Sequence, residues 1–354
     1  MTPRERVLKA LRRERVSPIP FTIYESLLPQ CTAERELRNR GLCIVQRQVP
    51  VFTTRRPHVT TTQETYGEGN KQFTRTWHKT PGGTLSSLAE HAGFTQWIHQ
   101  RLFKSAEDYP AILAYLQDEQ YEPNYEEFAR VEASLGPDVL VRGAIGLEPL
   151  QRLISGEIMD MQTFCMEWMD HQDEVLTLYR AVVENCRKIY PLAAGSPAAT
   201  FNFGGNVTPE ITNPDMFREY YMPHYEEAAR ALHKKGKLIG VHFDANCGRL
   251  SRLIGETPLD YIEAFTPAPD TDMTLAEARA AWPDKVLWLN FPSSVHLKSD
   301  AEVAAFTVSM LRQTPSTDGI IMGITENMPL DRWQGSCRAI MDGLDRHREL
   351  MEEA

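Results

Sequence analysis

The stretch Leu238-Ile239-Gly240-Val241-His242-Phe243-Asp244-Ala245-Asn246-Cys247 holds the key to the fold. Leu238–Phe243 is apolar except at His242 and too short for a helix, as a strand buried on both faces is. Just before it, Asn213-Pro214-Asp215 signals a helix start. Apolar residues then recur at three-and-four spacing from Met216 to Lys235, and Gly236 closes the helix. The same order recurs along the chain. Short apolar runs lie at Ile19–Tyr24, Cys43–Pro50, Val139–Gly143, Thr200–Phe203, Tyr261–Phe265, Val286–Asn290 and Gly319–Gly323, and helical patterns at Leu275–Trp282 and Ala301–Leu311. Alternating strands and helices mean a parallel α/β fold, and eight such strands mean a (β/α)8 TIM barrel. Arg55–Ser87 breaks the rhythm. It is rich in Thr, carries Gly67, Gly69, Gly82 and Gly83, and reads as a β-hairpin insertion after the second strand, expected to lie over one end of the barrel. Ser105–Ala133, with the start signal Asp108-Tyr109-Pro110, reads as helical.

The chain has 354 residues, 42% hydrophobic and 24% charged, with neither repeats nor a Ser/Gly-rich linker, so a single domain over residues 1–354 is expected. The net charge of −10 argues against nucleic acid and anionic membranes as partners. No apolar run approaches the roughly 18 residues of a membrane-spanning helix. The charged start Met1-Thr2-Pro3-Arg4-Glu5-Arg6 has no signal-peptide core. Six scattered cysteines suit free thiols in a reducing, cytoplasmic setting.

Barrel enzymes build their sites at the C-terminal ends of the strands, so the polar residues found there are the candidates. These are Tyr24 and Glu25 after strand one, Glu148 after strand three, Asn206 after strand four, and His242, Asp244 and Cys247 at strand five. Glu263 lies in strand six, Asn290 ends strand seven, and Glu326 follows strand eight. His242, Asp244 and Cys247 are chemically competent zinc ligands, and Glu326 faces the same mouth across a closed barrel. The plainer reading makes His242 a core or substrate-binding histidine, Asp244 a helix cap and Cys247 a small buried residue. Glu263 interrupts an apolar run, which requires pairing, protonation or ligation; a structural hydrogen bond would also account for it. No dinucleotide fingerprint, P-loop or nucleophile elbow occurs.

The opening Met1-Thr2-Pro3-Arg4-Glu5-Arg6-Val7-Leu8-Lys9-Ala10-Leu11, the turn Thr80-Pro81-Gly82-Gly83-Thr84-Leu85, the helix from Pro214 to Gly236 and His242 together resemble the uroporphyrinogen decarboxylase-like superfamily over nearly the whole length. The resemblance implies a (β/α)8 barrel and either decarboxylation or corrinoid-dependent methyl transfer. Phe21-Thr22-Ile23-Tyr24-Glu25-Ser26-Leu27-Leu28-Pro29 lacks the arginines with which the decarboxylases hold a polycarboxylate substrate, so the methyltransferase branch is the closer match. That branch has a zinc site of the form His-x-Cys after strand five and a further Cys after strand eight. Here His242 matches, Asp244 stands at the first cysteine position, and Glu326 lies near the second. Oxygen ligands in place of sulfur suit an ether oxygen better than a thiol.

The resemblance therefore implies the methyltransferase component of an O-demethylase. It would move a methyl group from a small methoxylated compound to the Co(I) corrinoid of a separate corrinoid protein, because this chain has no Asp-x-His-x-x-Gly corrinoid motif. Zn2+ held by His242, Asp244, Glu326 and Cys247 would polarise the ether oxygen, or Glu263 or Glu326 would protonate it. Tyr24, Glu25, Glu148, Asn206 and Asn290 would orient the substrate. The alternative is a metal-assisted decarboxylase or lyase acting on a small acid, with Glu263 as acid. A homodimer is left open.

Overall fold

A computed structural model describes residues 1–93 and 95–353. The strands are β1 (Phe21–Tyr24), β2 (Leu42–Gln46), β3 (Phe52–Arg55), β4 (Thr60–Glu68), β5 (Lys71–Thr80), β6 (Gly83–Ala92), β7 (Thr95–Gln100) and β8 (Gln120–Pro123). After them come β9 (Val139–Val141), β10 (Gly143–Gly146), β11 (Thr200–Phe203), β12 (Leu238–His242), β13 (Tyr261–Phe265), β14 (Val286–Leu289) and β15 (Ile320–Ile324). The chain divides into two compact units: residues 1–51, 124–146 and 193–354, and residues 52–123 and 147–192.

The first unit carries a sheet in the order β10-β11-β12-β13-β14-β15-β1-β2-β9, with every pair parallel. Its two end strands are consecutive in the chain and separated only by Arg142, whose N–H still donates to the Gln46 carbonyl at 2.9 Å. Counted as one interrupted strand, β9 and β10 bring the ring to eight, and the sheet is nearly closed as an α/β TIM barrel. β1, β11, β13, β14 and β15 are buried at every position, as strands under a helical layer must be.

The helix Pro3–Leu11 seats Val7, Ala10 and Leu11 against Cys43, Leu140, Val286 and Ile321. Its Arg4 binds the Val139 and Gly136 carbonyls at 2.5 and 2.7 Å, which fixes it at the N-terminal end of the strands. Above that plug, Trp288 donates to Thr22 Oγ1 at 2.8 Å, and Tyr261 packs on Trp288 with ring centroids 5.8 Å apart. The opposite end is the mouth.

Residues Met216–Lys235 read as one helix in sequence, but there are two, Pro214–Tyr220 and Met222–His233. Pro223 has no amide hydrogen and breaks the ladder at Tyr221. Asn213 caps the first, accepting from the Asp215 and Met216 amides at 3.0 Å. The 105–133 stretch also differs from the helical reading. It holds a helix at Tyr109–Gln117, then β8, then a helix at Tyr125–Ser134, because Gln120–Pro123 pairs with β3 instead of continuing the helical turns.

The second unit contains the hairpin insertion. It is a four-stranded antiparallel meander, β4-β5-β6-β7, reaching Gln100 rather than stopping at Ser87. One of its buried carboxylates, Glu119, is held by Arg152 at 2.6 and 3.0 Å, by Asn185 at 2.8 Å and by Arg56.

All six cysteines are free thiols. Among the described residues, no helix is long and apolar enough to cross a membrane.

Candidate active site at the barrel mouth

Glu263 organises the mouth. It is fully buried in β13, and register shifts at Ala264, whose φ of 59° is left-handed. Such a backbone is strained for a residue with a Cβ, and bulges of this kind recur beside active sites because they re-aim side chains. The Glu263 carboxylate accepts from four groups: Arg142 Nη1 at 2.7 Å, His242 Nδ1 at 2.7 Å, Asn202 Nδ2 at 2.9 Å and the Tyr24 hydroxyl. Those four use all of a carboxylate's acceptor positions. The single Tyr261 hydroxyl lies beside Asn202, 2.6 Å from the Phe201 carbonyl and 2.9 Å from Asn202 Oδ1.

The electrostatics follow from this packing. Burial alone would raise Glu263's pKa, but Arg142 and His242 outweigh it and hold the carboxyl far below its usual range. Burial alone would discharge His242. Glu263 on Nδ1, with Asp244 3.3 Å from Nε2, overcomes it and raises the imidazole to about 10. His242 is therefore an imidazolium at neutral pH, with one N–H buried and the other on the Asp244 side. Its side chain is 21% exposed. Tyr24 is pushed up by burial and by Glu263's charge, so it stays a phenol.

Of the sequence candidates, the structure joins Tyr24, His242, Asp244 and Glu263. Glu25 is committed elsewhere: Arg47 binds it through Nε at 3.1 Å and Nη2 at 3.3 Å, while stacking 3.4 Å above the Tyr24 ring. Asn206 is exposed and left-handed, at φ 57°. It follows Gly204 and Gly205, and a Cβ on Gly205 would stand 3.2 Å from His242 Cβ, so this turn needs glycine to lie against the histidine. Asn290 is buried and ties two loops, donating to Thr266 Oγ1 at 3.1 Å and accepting from the Thr325 amide at 2.9 Å. Glu148 is fully buried at the N-cap of the helix Pro149–Ser155, in the second unit.

The zinc ligand set does not assemble. Glu326 is exposed and accepts from Ser293. Cys247 is buried, its thiol faces the Ala245 carbonyl at 3.2 Å, and burial pushes that thiol's pKa up, away from thiolate. His242 Nδ1 is taken by Glu263 at 2.7 Å, and Asp244 stands 3.3 Å from Nε2. Among the described residues, no three His, Cys, Asp or Glu side chains form a group that could hold a metal ion.

Three residues of the site escape the rule of reading only strand ends, namely Arg142, Asn202 and Tyr261, whereas Arg47 directly follows β2 and falls within that rule. Arg142 carried a usable signal. It is a lone charge in the apolar run Val139-Leu140-Val141-Arg142-Gly143, and the burial argument that singles out Glu263 applies to it equally.

No family model matches the chain, and no curated protein sequence matches it. Among solved structures, a methyltransferase from Methanosarcina mazei superposes with a TM-score of 0.59 at 10% identity, covering 98% of this chain and 99% of that one. At that identity the likeness shows the shared barrel fold. A structure from work on the pneumococcal virulence factor StrH and N-glycan recognition superposes at 0.40 with 11% identity, over 93% of this chain and 83% of that one.

Proposed function

We propose that this protein is a methyltransferase. It takes a methyl group from a small methoxylated compound and passes it to the Co(I) corrinoid of a separate corrinoid protein. The observation that carries this reading is the 2.7 Å contact between His242 Nδ1 and the buried Glu263 carboxylate at the mouth of the barrel, which favours a charged ring. The fold shared with the Methanosarcina methyltransferase supports it, as does the sequence resemblance.

An ether oxygen leaves poorly unless it is protonated as the bond breaks. The acceptor's electron pair forms the new bond to the methyl carbon. The C–O bond breaks with its pair on oxygen, and the His242 Nε2 proton goes to that oxygen, giving the free hydroxyl compound. Glu263 keeps the ring charged and oriented, and Tyr24, Arg142 and Asn202 keep Glu263 in place. Proton transfer from an acid near 10 is close to thermoneutral for a phenolic oxygen, whose pKa is also about 10. Glu263 has no proton to give, so the donor is His242. The residues present do not fit a zinc ion, and no step runs through one.

The alternative, decarboxylation of a small acid, gains some support from Arg47 and Arg142, cations at the mouth that the segment after β1 does not foreshadow. One experiment separates the two. The protein is incubated anaerobically with a Co(I) corrinoid protein and methoxylated compounds while absorbance and released CO2 are recorded. The proposal expects the methylated-corrinoid spectrum, no CO2, and loss of methyl transfer in His242→Ala. Release of CO2 without methylation would refute it.

A further inference from the structure

Arg142 is 6% exposed and lies inside the barrel at the level of Glu263. Among the described residues its one side-chain hydrogen bond runs from Nη1 to Glu263 Oε1. Its Nε is buried without a partner, and Nη2 makes no bond either. The Tyr24 ring, 5.7 Å from the guanidinium carbon, offers only a weak cation–π contact. The unused Nε–Nη2 edge is the side of a guanidinium that matches both oxygens of a carboxylate. Arg279 also has a buried, unpartnered Nε, but its other nitrogens hold the Lys285 and Gly319 carbonyls at 2.8 and 3.1 Å. Arg142 has a whole edge idle.

Buried polar groups are almost always satisfied, so each orphan asks for a ligand. The nearby acid cannot serve Arg142 further, because Glu263 already accepts four hydrogen bonds. What is missing is an acceptor, and beside a buried cation an anionic acceptor binds best.

We infer that the substrate is a small carboxylate whose carboxylate group pairs with the Nε–Nη2 edge of Arg142. This rests on the reading of the mouth as the substrate site and narrows the methyl donor to a methoxylated acid.

The test is equilibrium binding by calorimetry, without corrinoid protein, using isosteric pairs: methoxyacetate against methoxyacetamide, and 4-methoxybenzoate against 4-methoxybenzamide. The wild type should prefer an acid over its amide by about 10- to 100-fold, the range for a charge-assisted hydrogen bond. Arg142→Lys, which keeps a cation for Glu263 but removes the planar edge, should abolish that preference. Arg142→Gln, which keeps a planar donor group but no charge, should reduce it severalfold, and provides a readout if the lysine variant misfolds. Equal binding of acid and amide by the wild type, or no acid binding at all, overturns the inference. Acid preference without methyl transfer from any methoxylated acid would leave the carboxylate site standing and sink the proposed reaction. Methyl transfer from the amides as readily as from the acids would do the reverse.

Discussion

Replacing Glu263 with Gln is the sharpest perturbation of this site. The substitution keeps the shape and removes the charge on which Arg142 and His242 both depend. Breaking a buried ion pair from one side costs about 3–5 kcal/mol, because the surviving cation stays buried without its counterion. Two cations lose their partner here, and His242 can shed its proton while Arg142 cannot, so the cost should fall in that range and not double.

The pH dependence has a definite sign. In the wild type, His242 is raised from 6.5 to about 10, so its share of the stability is complete below 6.5 and fades as pH rises to about 10. Glu263 is depressed from 4.5, so its share is complete above 4.5 and fades as pH falls towards its folded value. The pair therefore stabilises most between 4.5 and 6.5. Glu263→Gln should flatten that profile, with the largest loss in melting temperature near pH 5.5 and a smaller loss near pH 10, where only Arg142 still misses its counterion. Thermal melts across pH, with NMR titration of the His242 ring, read both quantities. A variant that melts within about a degree of the wild type at pH 5.5, or whose His242 still titrates near 10, would show that the carboxylate does not hold the histidine charged.

Three further outcomes follow from the same geometry. Tyr24→Phe removes one of Glu263's four donors but leaves a ring for Arg47, so a loss of only about 1 kcal/mol is expected in denaturant titration; a loss above 3 would mean the hydroxyl carries more than one bond. Ala264→Val places a β-branched residue in a left-handed, fully buried position and should cost more than about 2 kcal/mol, whereas Ala264→Gly should be close to neutral; equal stability of the two variants would contradict the bulge. Gly205→Ala should displace His242, so the ring's NMR shift and the rate of methyl transfer should change together while the melting temperature falls by only a few degrees; an altered rate with an unmoved histidine signal would count against that coupling.

Much of the barrel is legible in the sequence, because its signals are local. Each strand is a short apolar run, each helix has its own periodicity and caps, and the order of strand and helix determines which ends form the mouth. This is enough to bring Tyr24, His242, Asp244 and Glu263 forward as candidates. The single helix read over Met216–Lys235 shows where a local pattern fails, since apolar spacing continues straight through the break at Pro223.

What the tertiary structure alone decides is pairing. Arg142 and Glu263 are 121 residues apart and meet because β9 and β10 stand across the ring from β13 in a particular register. The same closure gives Glu25 to Arg47 and Glu326 to Ser293. Sequence shows that a charge in an apolar strand needs a partner. Which partner it receives, and hence whether Glu263 holds a proton or His242 does, depends on distances of a few ångströms set by the barrel's closure, to which charge interactions in a buried site respond steeply.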